Sequence, residues 1–137
     1  ADVDGDGDIN VVQLEGTTGA APAIDRAEGF ADAIKSDSKI AISKSQTGDF
    51  TRDGGKQVME SFLNSEKGID VVFAHNDDEG LGAIEAIEAA GKKPGVDIKI
   101  VTIDAVKDGM TALDCMDAKA CKDAGGSEIA NKTLCAE

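Results

Sequence analysis

The chain has neither tryptophan nor tyrosine, and its aromatic side chains are four phenylalanines and one histidine. A broad platform of large aromatic rings is therefore excluded. Any stacking contact with a ligand must come from Phe30, Phe50, Phe62 or Phe73. The sequence also has no apolar run as long as a transmembrane helix needs, and no signal-peptide pattern. We therefore expect no membrane insertion.

Basic residues are scarce, with 14 Lys and Arg against 27 Asp and Glu, and the formal net charge is −13. A chain this acidic is repelled by phosphate backbones and anionic lipid surfaces, which disfavours a nucleic-acid partner. A zinc site is not expected, because His75 is the only histidine and the three cysteines lie far from it at Cys115, Cys121 and Cys135. The cysteines are compatible either with one disulfide and a free thiol or with three free thiols.

Short apolar runs alternate with segments of helical periodicity along most of the chain. This alternation predicts parallel strands with helices on both faces of one sheet, an α/β fold of the flavodoxin-like or Rossmann-like kind with at least four strands in a three-layer αβα lobe. Pro22 suits the first turn of the first helix, and Thr17 or Thr18 could cap it. The predicted strands are residues 9–14, 39–43, 69–74 and 96–103, and the predicted helices are residues 20–36, 53–66, 79–90 and 107–118, with a short helix at 127–134. Residues 1–8 then form an acidic leader or calcium loop, 9–118 the lobe, and 119–137 a cysteine-containing tail.

Polar side chains follow the predicted strands at the points where ligands bind in open parallel sheets. The segments are 15–19, 45–52 and 75–78, together with Asp104, and among them stands one ring, that of Phe50. Carboxylates and amides bind hydroxyl groups, and a ring covers the C–H face of a sugar, so this edge suits a neutral, hydroxyl-rich ligand. The alternative is that Asn76, Asp77 and Asp78 only cap a helix.

Four segments in order carry a more specific signal. They read GAAPAIDRAEGF at 19–30, SQTGDFTR at 45–52, FAHNDD through LGA at 73–83, and IDAVKDG at 103–109. Together they resemble the motifs of bacterial periplasmic sugar-binding proteins, the ribose- and galactofuranose-type solute receptors of ABC transporters. The resemblance covers only the second, C-terminal lobe of that two-lobed type I fold, and it fades after Leu113.

The resemblance implies a non-catalytic protein that binds a pentose or hexose monosaccharide without a cofactor. It further implies a periplasmic or extracellular location, a transporter permease as partner, and an N-terminal lobe or a homodimer partner to complete the cleft. Carried over position by position, the ligand contacts fall on Arg26, Phe50, Asn76 and Asp104, with Asp25, Arg52 and His75 as secondary candidates.

The acidic start of the chain has the spacing of an EF-hand-like calcium loop. Asp2, Asp4, Asp6 and Asp8 supply oxygens at alternate positions, and Ca²⁺ prefers such dense oxygen ligands. Gln13 stands where the bidentate glutamate of such a loop is expected, so a solvated acidic leader remains the alternative.

Other functions stay open at this point. An enzyme on the same sheet could use Asp77 with Asp104 for acid–base chemistry, but the nucleotide-binding, nucleophile-elbow and zinc-helix motifs are absent. A phosphate-accepting receiver domain needs an acidic pair after the first strand and a lysine after the last one. Glu15 and Lys107 match this pattern poorly. Two further alternatives are a calcium-dependent interaction module and the effector lobe of a sugar-responsive repressor. The repressor would need a DNA-binding headpiece, and this acidic sequence shows no sign of one.

Overall fold

The structure is a computed structural model, and it describes residues 2–112 of the chain. Within this range, strands and helices alternate without exception, as the hydrophobic patterning predicts. The elements are β1 (Ile9–Glu15), α1 (Ala21–Ile34), β2 (Ile40–Thr47), α2 (Arg52–Ser65), β3 (Val71–Ala74), α3 (Asp77–Ala89) and β4 (Lys99–Val101).

The four strands form one parallel sheet in the order β2-β1-β3-β4. Parallel strands require a crossover connection, and one helix joins each pair of strands that are consecutive in the chain. The two central strands are the most buried, with Val12 of β1 and Val72 of β3 fully inaccessible to solvent. Because all strands run the same way, the loops that follow them meet at one edge of the sheet.

Helices cover both faces of the sheet, which confirms the predicted α/β architecture. On one face α2 and α3 pack against Val12 and Leu14 in the larger apolar cluster. On the other face α1 contributes Phe30 to a smaller cluster around Val11 and Phe73. The rings of Phe30 and Phe73 lie 4.5 Å apart between centroids, so α1 is docked by an aromatic contact.

Glycines allow α2 and α3 to approach each other closely. A Cβ atom at Gly55 would lie 2.4 Å from the carbonyl oxygen of Glu79, and one at Gly82 would lie 2.1 Å from that of Arg52. Any larger residue at either position would force the two helices apart.

The N-caps of α1 and α3 differ from the sequence prediction. Asn76 caps α3 by accepting a hydrogen bond from Glu79 N–H at 3.0 Å, so this helix begins at Asp77, ahead of the predicted start at Glu79. The predicted caps Thr17 and Thr18 are wrong, because the N-cap of α1 is Ala20, which makes no side-chain cap hydrogen bond.

Two strand predictions were also inaccurate. The second strand continues to Thr47, which pairs with Glu15, so residues 45–47 belong to β2 and not to the loop after it. The fourth strand is limited to Lys99–Val101, shorter than the predicted 96–103. Helix begins at residue 107 as predicted, whereas its predicted continuation beyond residue 112 and the predicted helix at 127–134 lie outside the described residues.

None of the helices described in residues 2–112 combines the length and apolar character needed to cross a membrane.

Truncation of the larger apolar cluster should destabilise the fold. Met59 of α2 is fully buried, so Met59→Ala is expected to lower the free energy of unfolding by about 2–5 kcal/mol, through lost burial and a residual cavity. Ile24→Ala, at a side chain that is 45% exposed on α1, is the control and should cost less than about 1 kcal/mol. Urea denaturation of both variants checks the difference, and equal losses would contradict this description of the core.

Candidate functional site

Arg26, in the second turn of α1, connects three loops at the carboxyl edge of the sheet. Its Nη1 donates to the carbonyl oxygen of His75 at 2.7 Å, and its Nη2 donates to Oδ1 of Asp104 at 3.0 Å. Its guanidinium carbon lies 5.6 Å from the centroid of the Phe50 ring, a cation–π distance. The structure thus brings together residues that follow β2, β3 and β4.

The main chain holds the Phe50 ring in place. Asp49 and Phe50 both have positive φ, 59° and 58°, which turns the chain sharply after β2. The ring lies against Gly16, where an added Cβ would come within 2.0 Å of it. Asn76 donates from Nδ2 to the Phe50 carbonyl oxygen at 3.1 Å, so all four predicted primary residues lie in one contiguous group.

This group offers complementary chemistry for a polyol. Arg26 is a donor, Asp104 an acceptor, and both side chains keep partial access to solvent, at 24% and 40%. Phe50 is half-buried beside them and supplies an apolar face. Asp104 and Ala105 have positive φ values of 113° and 56°, so the loop after β4 is also held in a rare conformation.

The secondary candidates occupy different surroundings. Asp25 is exposed on α1. Arg52 pairs with Asp78 at 3.2 Å and Asp108 at 4.0 Å, in an ion-pair cluster that contains none of the four primary residues. The His75 side chain is fully buried, and its Nδ1 accepts a hydrogen bond from Gly16 N–H at 3.2 Å.

Burial controls the charge of His75. Desolvation lowers the pKa of its imidazole, and the Arg26 guanidinium acts in the same direction, while the Glu15 carboxylate partly opposes both. The imidazole is therefore neutral at pH 7, and its Nε2 has no hydrogen-bond partner among the described residues. His75 contributes to the group through its carbonyl oxygen.

Glu79, in the first turn of α3, is fully buried and was not predicted as a site residue. Its Oε1 accepts a hydrogen bond from Phe50 N–H at 3.2 Å. Burial raises the pKa of this carboxyl from 4.5 to about 7, although the backbone N–H groups of Phe50, Asn76, Gly48 and His75 stabilise the charged form. The spacing of Asn76 and Glu79 is that of a capping box, a sequence signal that could have identified Glu79.

The acidic N-terminus forms a different cluster from the predicted one. Carboxylate oxygens of Asp2, Asp4 and Asp70 lie within 4.8 Å of one another, whereas Asp6 and Asp8 are not part of this group. Asp6 Oδ1 accepts a hydrogen bond from Asp8 N–H at 2.9 Å. Asp70 lies directly before β3, and the spacing of the acidic residues at the N-terminus does not predict that it joins this cluster.

Backbone groups already satisfy much of this cluster. Asp2 accepts from Gly5 N–H at 2.6 Å and Gly7 N–H at 3.0 Å. Asp70 is 1% exposed and accepts from Val3 N–H at 2.6 Å and Asn10 N–H at 2.8 Å. These hydrogen bonds tie the N-terminal segment to the sheet.

Comparison with known proteins places this sheet edge in context. Residues 2–127 match the periplasmic binding protein domain. The chain belongs to that family. It is 55% identical over 114 residues to the galactofuranose-binding protein YtfQ of Escherichia coli strain K12, an alignment covering 81% of this chain and 35% of that protein.

Two further relatives are similar. The ribose import binding protein RbsB of Salmonella typhimurium is 36% identical over 131 residues, covering 90% of this chain and 43% of that protein. A crystal structure from Mycobacterium smegmatis in complex with β-D-fucofuranose superposes with a TM-score of 0.78 at 56% identity, covering 90% of this chain and 46% of that one. The chain therefore spans less than half the length of each of these relatives, and the fold is that of a periplasmic binding protein lobe.

The burial of Glu79 predicts a pH-dependent stability. Because its pKa is raised on folding, its contribution to stability is fully present below about pH 4.5 and is lost as the pH rises to about 7. Relative to Glu79→Gln, which does not titrate, the wild-type free energy of unfolding should fall by about 3 kcal/mol across this range. Denaturant melts of both proteins at several pH values measure the difference, in which the opposing titration of His75 cancels. A constant difference from pH 4.5 to pH 7 would contradict the prediction.

The calcium site at the N-terminus stays a prediction from the sequence, and melting curves test it. With a dissociation constant of ~1 mM, about 10 mM CaCl₂ should raise the melting temperature by about 5 °C, because the ion binds the folded state. Asp4→Asn removes one of the clustered carboxylates and should abolish the shift, and MgCl₂ at equal concentration controls for ionic strength. An unchanged melting temperature with CaCl₂ would contradict the predicted calcium site.

Proposed function

We propose that this chain is the monosaccharide-binding lobe of a sugar receptor, with its ligand at the carboxyl edge of the sheet. The observation that carries the proposal is the contact of the Arg26 guanidinium with both the Asp104 carboxylate and the Phe50 ring. A charged donor, a charged acceptor and a ring beside one another suit a ligand with hydroxyl groups on its edge and C–H groups on its face. The relatives named above are a galactofuranose-binding protein, a ribose import binding protein and a protein crystallised with β-D-fucofuranose, and these ligands support a pentose or hexose.

Each of the four residues has a role in this proposal. Arg26 donates to ring or hydroxyl oxygens, Asp104 accepts from a pair of hydroxyls, and Phe50 covers the apolar face of the sugar. Asn76 binds an adjacent hydroxyl while its amide holds the Phe50 carbonyl. A sugar would share the Arg26–Asp104 pair without separating it, since both side chains have further donor or acceptor capacity.

The proposed activity is binding without catalysis. The relatives named above are binding proteins, which supports this assignment. The acid–base alternative, Asp77 with Asp104, is not favoured by the geometry, because each carboxylate has a partner. Asp77 is buried and accepts a hydrogen bond from Val106 N–H at 2.6 Å, and Asp104 pairs with Arg26.

A single lobe covers one side of a sugar, so the proposal includes a second wall for the cleft. That wall comes from an N-terminal lobe or from a second copy of this chain. The shares of the relatives that this chain covers, 35% and 43%, support a two-lobed receptor. In that setting the receptor works in the periplasm, or outside the cell, and delivers its sugar to the permease of an ABC transporter.

Removal of the Asp104 carboxylate tests the proposal. Asp104→Ala should weaken the binding of a sugar at least tenfold, because a charged acceptor lost from a ligand contact costs about 1.5–3 kcal/mol. Titrations of the ¹⁵N-labelled chain with D-galactose, D-fucose and D-ribose, followed by amide chemical shifts, measure the affinities. The fold should persist, since the Asp104 side chain is 40% exposed.

Asp32→Ala is the matched control, because Asp32 also forms an exposed ion pair, with Lys35 at 2.9 Å, but lies within α1 away from the sheet edge. It should leave the titrations unchanged. Equal titrations for Asp104→Ala and the wild type, or no response of the wild type to any monosaccharide, would overturn the proposed function.

A further inference from the structure

Glu79 is a buried carboxylate placed directly behind the Phe50 turn, which we define as residues 48–51. Its side chain is inaccessible to solvent, so a sugar cannot reach it. We propose that Glu79 is a positioning residue for sugar binding, because its carboxylate fixes the Phe50 turn and thereby sets the place of the ring. The inference rests on the proposed function, since the ring matters only if a ligand packs against it.

Both peptide groups of Phe50 are held by side chains at the N-terminus of α3, those of the N-cap Asn76 and of Glu79 in the first turn. Glu79 Oε1 accepts from Phe50 N–H at 3.2 Å, and Asn76 Nδ2 donates to the Phe50 carbonyl oxygen at 3.1 Å. Asn76 and Glu79 are themselves joined, because Asn76 Oδ1 accepts from Glu79 N–H at 3.0 Å. The position of the Phe50 ring is therefore fixed by the N-terminus of α3 as well as by the loop.

The turn needs such external support. Asp49 and Phe50 lie consecutively in the left-handed region, at φ values of 59° and 58°. This conformation is unfavourable for residues with a Cβ atom, and two in succession persist only where surrounding contacts impose them. The Glu79 side chain supplies one such contact, because its Oε1 accepts the hydrogen bond of the Phe50 N–H within the strained turn.

The surroundings of Glu79 are shaped to admit it. A Cβ atom at Gly48 would lie 2.8 Å from Glu79 Oε1, and one at Gly55 would lie 2.4 Å from the Glu79 carbonyl oxygen. The turn and α2 thus both present glycine to this residue. Its second oxygen, Oε2, is buried without a partner among the described residues, so the carboxylate serves the turn through one oxygen.

Two variants of equal length separate the hydrogen bond from the packing. Glu79→Met keeps the volume and removes the acceptor, whereas Glu79→Gln keeps both the volume and an acceptor oxygen. At pH 8, Glu79→Met should weaken sugar binding by about tenfold without lowering the melting temperature, because it also removes a costly buried charge. Glu79→Gln should recover the affinity to within about twofold of the wild type.

Two measurements are needed: titration with D-galactose, D-fucose and D-ribose, and amide hydrogen exchange of Phe50 without sugar. Exchange at Phe50 should accelerate about tenfold in Glu79→Met and stay at the wild-type rate in Glu79→Gln. Ile87→Val is the stability control, because Ile87 is fully buried in α3 and a lost methylene there weakens packing away from the turn.

The outcomes separate the two proposals. Unchanged exchange and unchanged affinity in Glu79→Met would overturn the positioning role. Equal weakening by Glu79→Met and Ile87→Val would also overturn it, since a general loss of stability would then explain the effect. If the wild type binds none of the sugars, the proposed function fails, and the exchange rate at Phe50 still decides whether Glu79 fixes the turn.

Discussion

The guanidinium of Arg26 is the interaction that joins the separate parts of this sheet edge. It reaches from α1 to the end of β3 through the His75 carbonyl, and to the loop after β4 through Asp104. The planar, forked geometry of arginine permits two such bonds in different directions, together with contact over a ring. A lysine at this position would supply one charge but could not span the same partners.

The apolar core explains why these partners meet. The parallel order β2-β1-β3-β4 brings the ends of three strands beside one helix start, and α2 and α3 fix that edge from behind through their close approach at Gly55 and Gly82. The same approach buries Glu79 beneath the Phe50 turn. Core packing and site geometry are therefore not independent, because the residue that closes the α2–α3 contact also supports the ring.

The sequence was sufficient to predict the alternation of strands and helices, because short β-branched runs and helical apolar spacing are local signals. The resemblance to periplasmic sugar-binding proteins implied that Arg26, Phe50, Asn76 and Asp104 belong together, and the structure places them in contact. The sequence did not predict the end of β2 at Thr47, since the polar residues of that strand are paired with β1 by tertiary contacts and carry no apolar pattern.

Contacts between distant segments account for the rest of what sequence reasoning missed. Asp70 joins Asp2 and Asp4 from the far end of the second crossover, and no spacing within residues 2–8 indicates it. Sequence reasoning predicts Glu79 only as the start of a helix. Its contact with the Phe50 turn is not predicted, because that turn lies 29 residues earlier in the chain. Asx-type and capping signals are local, so they locate the helix end but not the loop that it supports.

The unequal cover on the two faces of the sheet has a consequence for local unfolding. In residues 2–112, two helices are interlocked on one face, whereas α1 lies on the other and docks through Phe30. Ala23 is the only buried residue of α1, whereas α2 and α3 bury four and seven residues, so we expect α1 to open at a lower free energy than the interlocked pair. Because α1 carries Arg26, each opening of α1 removes the guanidinium from the strand ends. A ligand bound to Arg26 would therefore stabilise the docking of α1 on the sheet.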